Sequence, residues 1–229
     1  MNDFSRLLQN IKEHPVLYLG KPSITCLNFF VNGYLSTLSD LGFTDEGLAM
    51  EGFQEWIQER EKTTVTQSWS EIIIFNNGSD RSSFYKFFEL FEQFLKQKES
   101  LELDKNKAKV NLKPNHLHNW KSGTYNPYRL FNEIKKRPGM FLGTSSITRL
   151  DMVLRGYTLA RREVGLDPTE EELEFEGFEA WIQGKYEIKL NQSWSKIILF
   201  YSIDEHEALK RFFELYEEYK NHYQSLAMT

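Results

Sequence analysis

The chain has 229 residues, of which 40% are apolar and 15% aromatic, and it carries a formal net charge of −5. That length suits one large or two small domains, and the low count of 13 Gly and 6 Pro argues against disorder and against a turn-rich β architecture. Residues 1–99 hold 9 basic and 14 acidic side chains, residues 100–125 hold 5 and 2, and the remainder 14 and 17. Both halves are therefore acidic, which disfavours counterion-release binding to nucleic acid and suits a basic partner.

In chain order, Phe4, Leu7, Leu8 and Ile11 recur at helical spacing, and His14-Pro15 stops that helix because the residue before proline avoids the α region. A short apolar connector ends at Gly20. Ser23 then caps a long second helix with an apolar stripe of Ile24, Leu27, Phe30, Val31, Tyr34, Leu35 and Leu38. Gly33 sits inside it, where glycine costs about 1 kcal/mol relative to alanine; close packing against a neighbour is the preferred explanation. Gly42 is a C-cap position. Phe53, Trp56 and Ile57 predict a short third helix. Ser68 to Phe75 reads two ways: Ile72-Ile73-Ile74-Phe75 has strand propensity, whereas Ser68 with Glu71 makes a capping box, and helix is preferred. Phe84, Phe87, Phe88, Phe91, Phe94 and Leu95 line a terminal helix.

The second half repeats this order. Pro15-Val16-Leu17-Tyr18-Leu19-Gly20 returns as Pro138-Gly139-Met140-Phe141-Leu142-Gly143, Gly33-Tyr34 as Gly156-Tyr157, Gln67-Ser68-Trp69-Ser70 as Gln192-Ser193-Trp194-Ser195, and Phe87-Phe88-Glu89-Leu90 as Phe212-Phe213-Glu214-Leu215. The offset is 123 up to Gly42/Gly165 and 125 from Glu51/Glu176. The expectation is a mainly α protein of two tandem, pseudo-symmetric modules, 1–99 and 127–229, each of about five helices, joined by a basic connector strap at 100–126. A short strand at 71–75 and 196–200 is the alternative local reading.

The chemistry-bearing groups are sparse. No disulfide can form within the chain because Cys26 is the only cysteine, which favours a reducing cytoplasm. Met1 to Ser5 has no basic and apolar leader pattern, and no apolar run approaches the roughly 20 residues of a membrane span. His116 and His118 stand close together in the strap without further ligands, while His14, His206 and His222 are solitary, so no metal or cofactor site is expected. Ser68, Ser70, Ser193 and Ser195 lack a neighbouring base and read as caps. Acid pairs Glu51/Glu55 and Glu176/Glu179 fall on the third helix and are candidate contacts for a basic partner. Trp69, Trp194 and the strap residue Trp120 are candidate anchors, with core packing the preferred role for the first two.

Arg137-Pro138-Gly139-Met140-Phe141-Leu142-Gly143 is similar to the nucleotide-site segment of type II topoisomerase ATPase subunits, but no Asp-x-Gly-x-Gly segment follows, and a helix stop with an apolar plug is the preferred reading. The whole chain resembles a widespread type of small bacterial uncharacterised protein built as helix, (Arg/Lys)-Pro-Gly-Met-(Tyr/Phe)-Leu-Gly, a helix with Gly-Tyr, a Trp-containing helix, Ser-Trp, and a Phe-Phe-Glu-Leu helix. The first half departs from that pattern at His14, Val16 and Leu17. Some proteins of this type look like toxin-immunity proteins. Small size, acidity and the lack of a catalytic constellation lead to the expectation of a non-catalytic cytoplasmic protein-binding module for a basic partner, and the resemblance implies an immunity-like or antitoxin-like inhibitor. The alternatives are a small-molecule sensor or carrier with an aromatic cleft between the modules, and an enzyme of unrecognised type.

Overall fold

The structure, a computed structural model, describes residues 3–43, 49–105, 125–190 and 192–227. Among them there are twelve helices and no strand: α1 (Asp3–Glu13), α2 (Pro15–Leu19), α3 (Ile24–Asp40), α4 (Phe53–Arg60), α5 (Trp69–Asn77), α6 (Asp80–Lys105), α7 (Phe131–Lys136), α8 (Pro138–Leu142), α9 (Ile147–Glu163), α10 (Glu170–Lys185), α11 (Trp194–Phe200) and α12 (Glu205–Ala227). The fold is mainly α. Each half holds six described helices rather than five, because the segment expected as an apolar plug is itself a short helix. Pro15 and Pro138 start α2 and α8 at a position where the missing N–H costs nothing, and Gly20 (φ 74°) and Gly143 (φ 70°) end them.

The Ile-rich segments are helical, not strands. Ser68 accepts a hydrogen bond from the Glu71 N–H, and the Glu71 side chain returns to the Ser68 N–H, a reciprocal cap that the strand alternative lacks. Burial follows the helical period. Adjacent Ile72 and Ile73 are both buried while Phe75 is exposed, which an alternating strand could not do. In α11 the capping partner is absent, yet Trp194, Ser195, Ile197 and Ile198 are buried in the same pattern.

The third helix differs between halves. α4 has 8 residues and begins after Gly52 at φ 81°, whereas α10 has 16, because Thr169 and Glu172 form a capping box upstream of the Phe178-x-x-Trp181 segment. Both helices end alike. Lys62 (φ 51°) and Glu187 (φ 52°) adopt the left-handed conformation. The next N–H in each case, of Thr63 and Ile188, reaches back to the carbonyls of Gln58 and Gln183, 2.9 and 3.0 Å.

The chain divides into two compact units, 1–28 with 38–125, and 29–37 with 126–229. In the first, Phe53 is fully buried among the rings of Trp56, Trp69, Phe87, Phe91 and Phe94. The Thr25 N–H at the start of α3 donates to the Asp80 carboxylate at the start of α6, 3.0 Å away. In the second unit, Phe178 is fully buried among Phe175, Trp181, Trp194, Phe212, Tyr216 and Tyr219. Glu205, at the start of α12, accepts from the Thr148 N–H (3.0 Å), the Thr148 hydroxyl (2.6 Å) and the Ser146 hydroxyl (2.8 Å). Each tie satisfies backbone donors that a helix start leaves without an intrahelical partner.

The second unit also contains the crossing of the middle of α3 with α9. A Cβ added to Gly33 would lie 3.0 Å from the carbonyl carbon and the Cα of Val153. One added to Gly156 would lie 2.8 Å from the Tyr34 nitrogen and 3.1 Å from the Phe30 carbonyl carbon. The two glycines sit at matched positions, and so do Phe30 and Val153. Close backbone approach is thus what the mid-helix glycines are for. Tyr34 also donates to Glu163 at 2.5 Å, and the Arg149 guanidinium stacks over Phe29 at 4.7 Å.

The helix α6 continues through the first residues of the expected strap to Lys105. Residues 106–124, with His116, His118 and Trp120, lie outside the described residues.

Candidate functional site

The proposed tryptophan anchors are core residues. Trp69 is 7% exposed and Trp194 2% exposed, each filling the aromatic cluster of its unit, so neither is presented to a partner. Burial of the largest apolar side chain outweighs its use as a surface contact here. Of the four acidic candidates, Glu51, Glu55 and Glu176 are exposed. Glu176 is 3.4 Å from Arg162 in a solvated pair worth little.

Glu179 is different. It is half-buried, and desolvation, with Asp151 as the next cause, raises its carboxyl from the ordinary 4.5 to about 7. Glu176 adds to the rise, and Arg155 and Arg162 oppose it. Asp151 itself is buried, accepting from the Ser195 hydroxyl at 2.6 Å and from Arg155 Nε at 2.9 Å. This set ties α9 to α11. It is not a nucleophile arrangement, because the serine donates to a carboxylate already paired with Arg155 and no histidine takes part. The sequence signal for it was an acid at Asp151 interrupting the apolar stripe of α9; the matched residue, Asn28, is also buried.

The raised carboxyl makes a prediction about pH. A group whose folded value lies above its unfolded value contributes stability that is complete below about 4.5 and is lost as pH rises through about 7. Glu179→Gln stays neutral throughout. Urea unfolding across that window should show the variant gaining on the wild-type protein as pH rises; parallel curves would contradict the assignment.

Among the described residues, no three His, Cys, Asp or Glu side chains converge as a metal site, and no helix is long and apolar enough to cross a membrane. The second unit carries a groove of about 580 Å³ with Phe131, Phe213 and Tyr216 in its lining. Its charged lining residues are mutually paired: Arg129 with Glu171 at 2.6 Å, Lys135 with Glu217 at 2.6 Å, and Lys220 with Glu174 at 3.4 Å. A ligand there would compete with pairs already made.

The surfaces that stand out are two apolar faces at matched positions. Phe75, at the outer side of α5, is 88% exposed, and Phe200, its counterpart on α11, is 80% exposed. Val65 and Leu190, also matched, are 43% and 72% exposed. The first face is concave, a groove of about 520 Å³ lined by Glu61, Val65, Gln67, Glu71, Ile72 and Phe75 among others. Its wall is held by Asn76, which donates to Glu61 at 3.0 Å. The second unit replaces that pair with Tyr186 stacked on Tyr201, 4.7 Å between centroids. The cross-link is kept while its chemistry changes. Sequence reasoning missed these faces because identity between the halves is low over residues 61–66 and 186–191, and because Phe75 and Phe200 lie in hydrophobic runs that look wholly internal.

Compared with protein-family models, curated proteins and solved structures, the chain matches none.

Proposed function

We propose that the chain is a non-catalytic protein-binding module of the cytoplasm, an immunity-like or antitoxin-like inhibitor whose partner is basic. The observation that carries this reading is the pair of large aromatic side chains left in solvent at matched positions, one of them beside a preformed groove. Holding an exposed phenylalanine twice has no folding benefit, and contiguous exposed apolar surface marks interaction sites. The groove rim carries Glu61 and Glu71, and Glu51 and Glu55 are exposed on or next to the helix that leads into it, which suits a partner segment bearing lysine or arginine beside an apolar side chain. A single buried cysteine, Cys26, fits a reducing compartment. The matched helix order, the left-handed glycines that end α2 and α8, and the glycine crossing support an origin by internal duplication.

The test is affinity capture from the producing cell with mass spectrometry, followed by titration of the captured protein. Phe75→Ala leaves the core untouched and should weaken binding by about 2 kcal/mol, roughly 30-fold in Kd, as for an interface hot spot. A partner that binds the variant as tightly as the wild-type protein would remove the groove from the reading.

A further inference from the structure

The two apolar faces share a backbone and an apolar content, yet their charges are inverted. On the first, Glu71 lies one helical turn before Phe75, on the same side of α5, and Lys62 occupies the left-handed turn that leads into the loop. On the second, the residue one turn before Phe200 is Lys196, and the left-handed turn carries Glu187. Lys62 and Glu187 have φ of 51° and 52°, so the reversal is borne by the same local geometry. All four side chains are exposed. The shapes also differ in a useful way: the first face is a groove, and the second presents Phe200, Leu190 and Ile203, the last 91% exposed.

We infer that the groove beside Phe75 in one molecule takes the Lys196–Phe200 face of a second copy, Phe200 entering the groove with Lys196 against Glu71 and Glu187 against Lys62. This inference rests on the reading of the groove as a protein-binding surface and names an occupant for it. A single matched pair with like charges would repel across such a contact; inverted charges make it favourable. Because the contact joins two different faces, it is heterologous. Each added molecule leaves one groove and one Phe200 face open, and assembly continues into a chain or ring. The contact is small, so assembly is weak and concentration-dependent. A basic partner presents the same combination of cation and apolar side chain and competes for the groove.

Sedimentation velocity of the full chain over a wide concentration range tests this. The wild-type protein should gain mass with concentration and pass beyond a dimer. Phe75→Ala lacks the groove anchor and Phe200→Ala the inserted ring, and each alone should stay monomeric. An equimolar mixture should form a dimer that grows no further, since one variant keeps its second face and the other its groove. Lys196→Glu should weaken assembly roughly tenfold, as should raised salt. A wild-type protein that is monomeric throughout, a mixture that stays monomeric, or a dimer that survives in either single variant would overturn the inference. A monomeric wild-type protein whose captured partner is still lost on Phe75→Ala would leave the protein-binding reading standing and sink only the self-association.

Discussion

Replacing Gly156 by alanine is expected to destabilise the protein by about 2 kcal/mol or more, although alanine is the better helix former by about 1 kcal/mol. The added Cβ would meet backbone, not a flexible side chain. It would lie 2.8 Å from the Tyr34 nitrogen, closer than real Cβ atoms come to other heavy atoms, so α9 and the middle of α3 must move apart. Gly33→Ala should behave alike against Val153. The two together should cost less than the sum, because the first substitution already opens the crossing that the second needs closed. Gly184→Ala is the control. Gly184 lies near the end of α10 with nothing within 4 Å of an added Cβ, so alanine there should be neutral or stabilising by up to about 1 kcal/mol. Urea midpoints with unchanged slopes would report these differences. A Gly156→Ala protein as stable as the wild type would show that the crossing is not tight.

Phe178→Ala should cost about 3–5 kcal/mol. Its ring is fully buried and meets six other rings, with Phe175 and Tyr216 nearest at 5.4 and 5.2 Å and Phe212 at 5.7 Å, edge-on to Tyr216 and Phe212. Truncation removes the transfer free energy of the ring and leaves a cavity lined by stiff aromatics that cannot collapse into it. Phe200→Ala removes the same side chain from an 80% exposed position and should change stability by no more than about 0.5 kcal/mol. The contrast between two phenylalanines in one unit separates burial from composition. A cost below about 1 kcal/mol at Phe178 would mean that the cluster is loosely packed.

Helix placement was readable wherever one physical signal dominated. The Pro15 and Pro138 boundaries, the cap at Ser68 and the left-handed Gly42 and Gly165 follow from local stereochemistry, and local stereochemistry is written in sequence. Gly33 and Gly156 announced a close neighbour but not its identity, since partner backbones across a fold leave no mark on the glycine itself. The length of α10 escaped because the short helix expected from Phe53, Trp56 and Ile57 was carried over to the second half, where a capping box of Thr169 and Glu172 starts the helix earlier. The ties from Asp80 to Thr25 and from Glu205 to Thr148 join residues more than fifty positions apart. A lone acid at a helix start also has an ordinary role with the helix dipole, which hid them. Trp69 and Trp194 fill the core, the role preferred for them from sequence, while the outward side of the same helices went unread. Both have the residue type of a binding hot spot, but their spacing on amphipathic helices turns them inward, whereas Phe75 and Phe200, each six residues further on, face out. Distinguishing them required the rotation of α5 and α11 about their axes, which a run of four apolar residues does not fix.

The second unit takes the middle of α3 into itself, so its boundary does not coincide with any single cut in the polypeptide. A fragment beginning after the strap would leave behind Phe30, Gly33 and Tyr34, exposing the flat side of α9 around Gly156 and depriving Glu163 of its phenol. Shortening this gene to its second half is therefore not equivalent to isolating the second unit, and a stable fragment would have to supply a substitute for the borrowed stretch of α3.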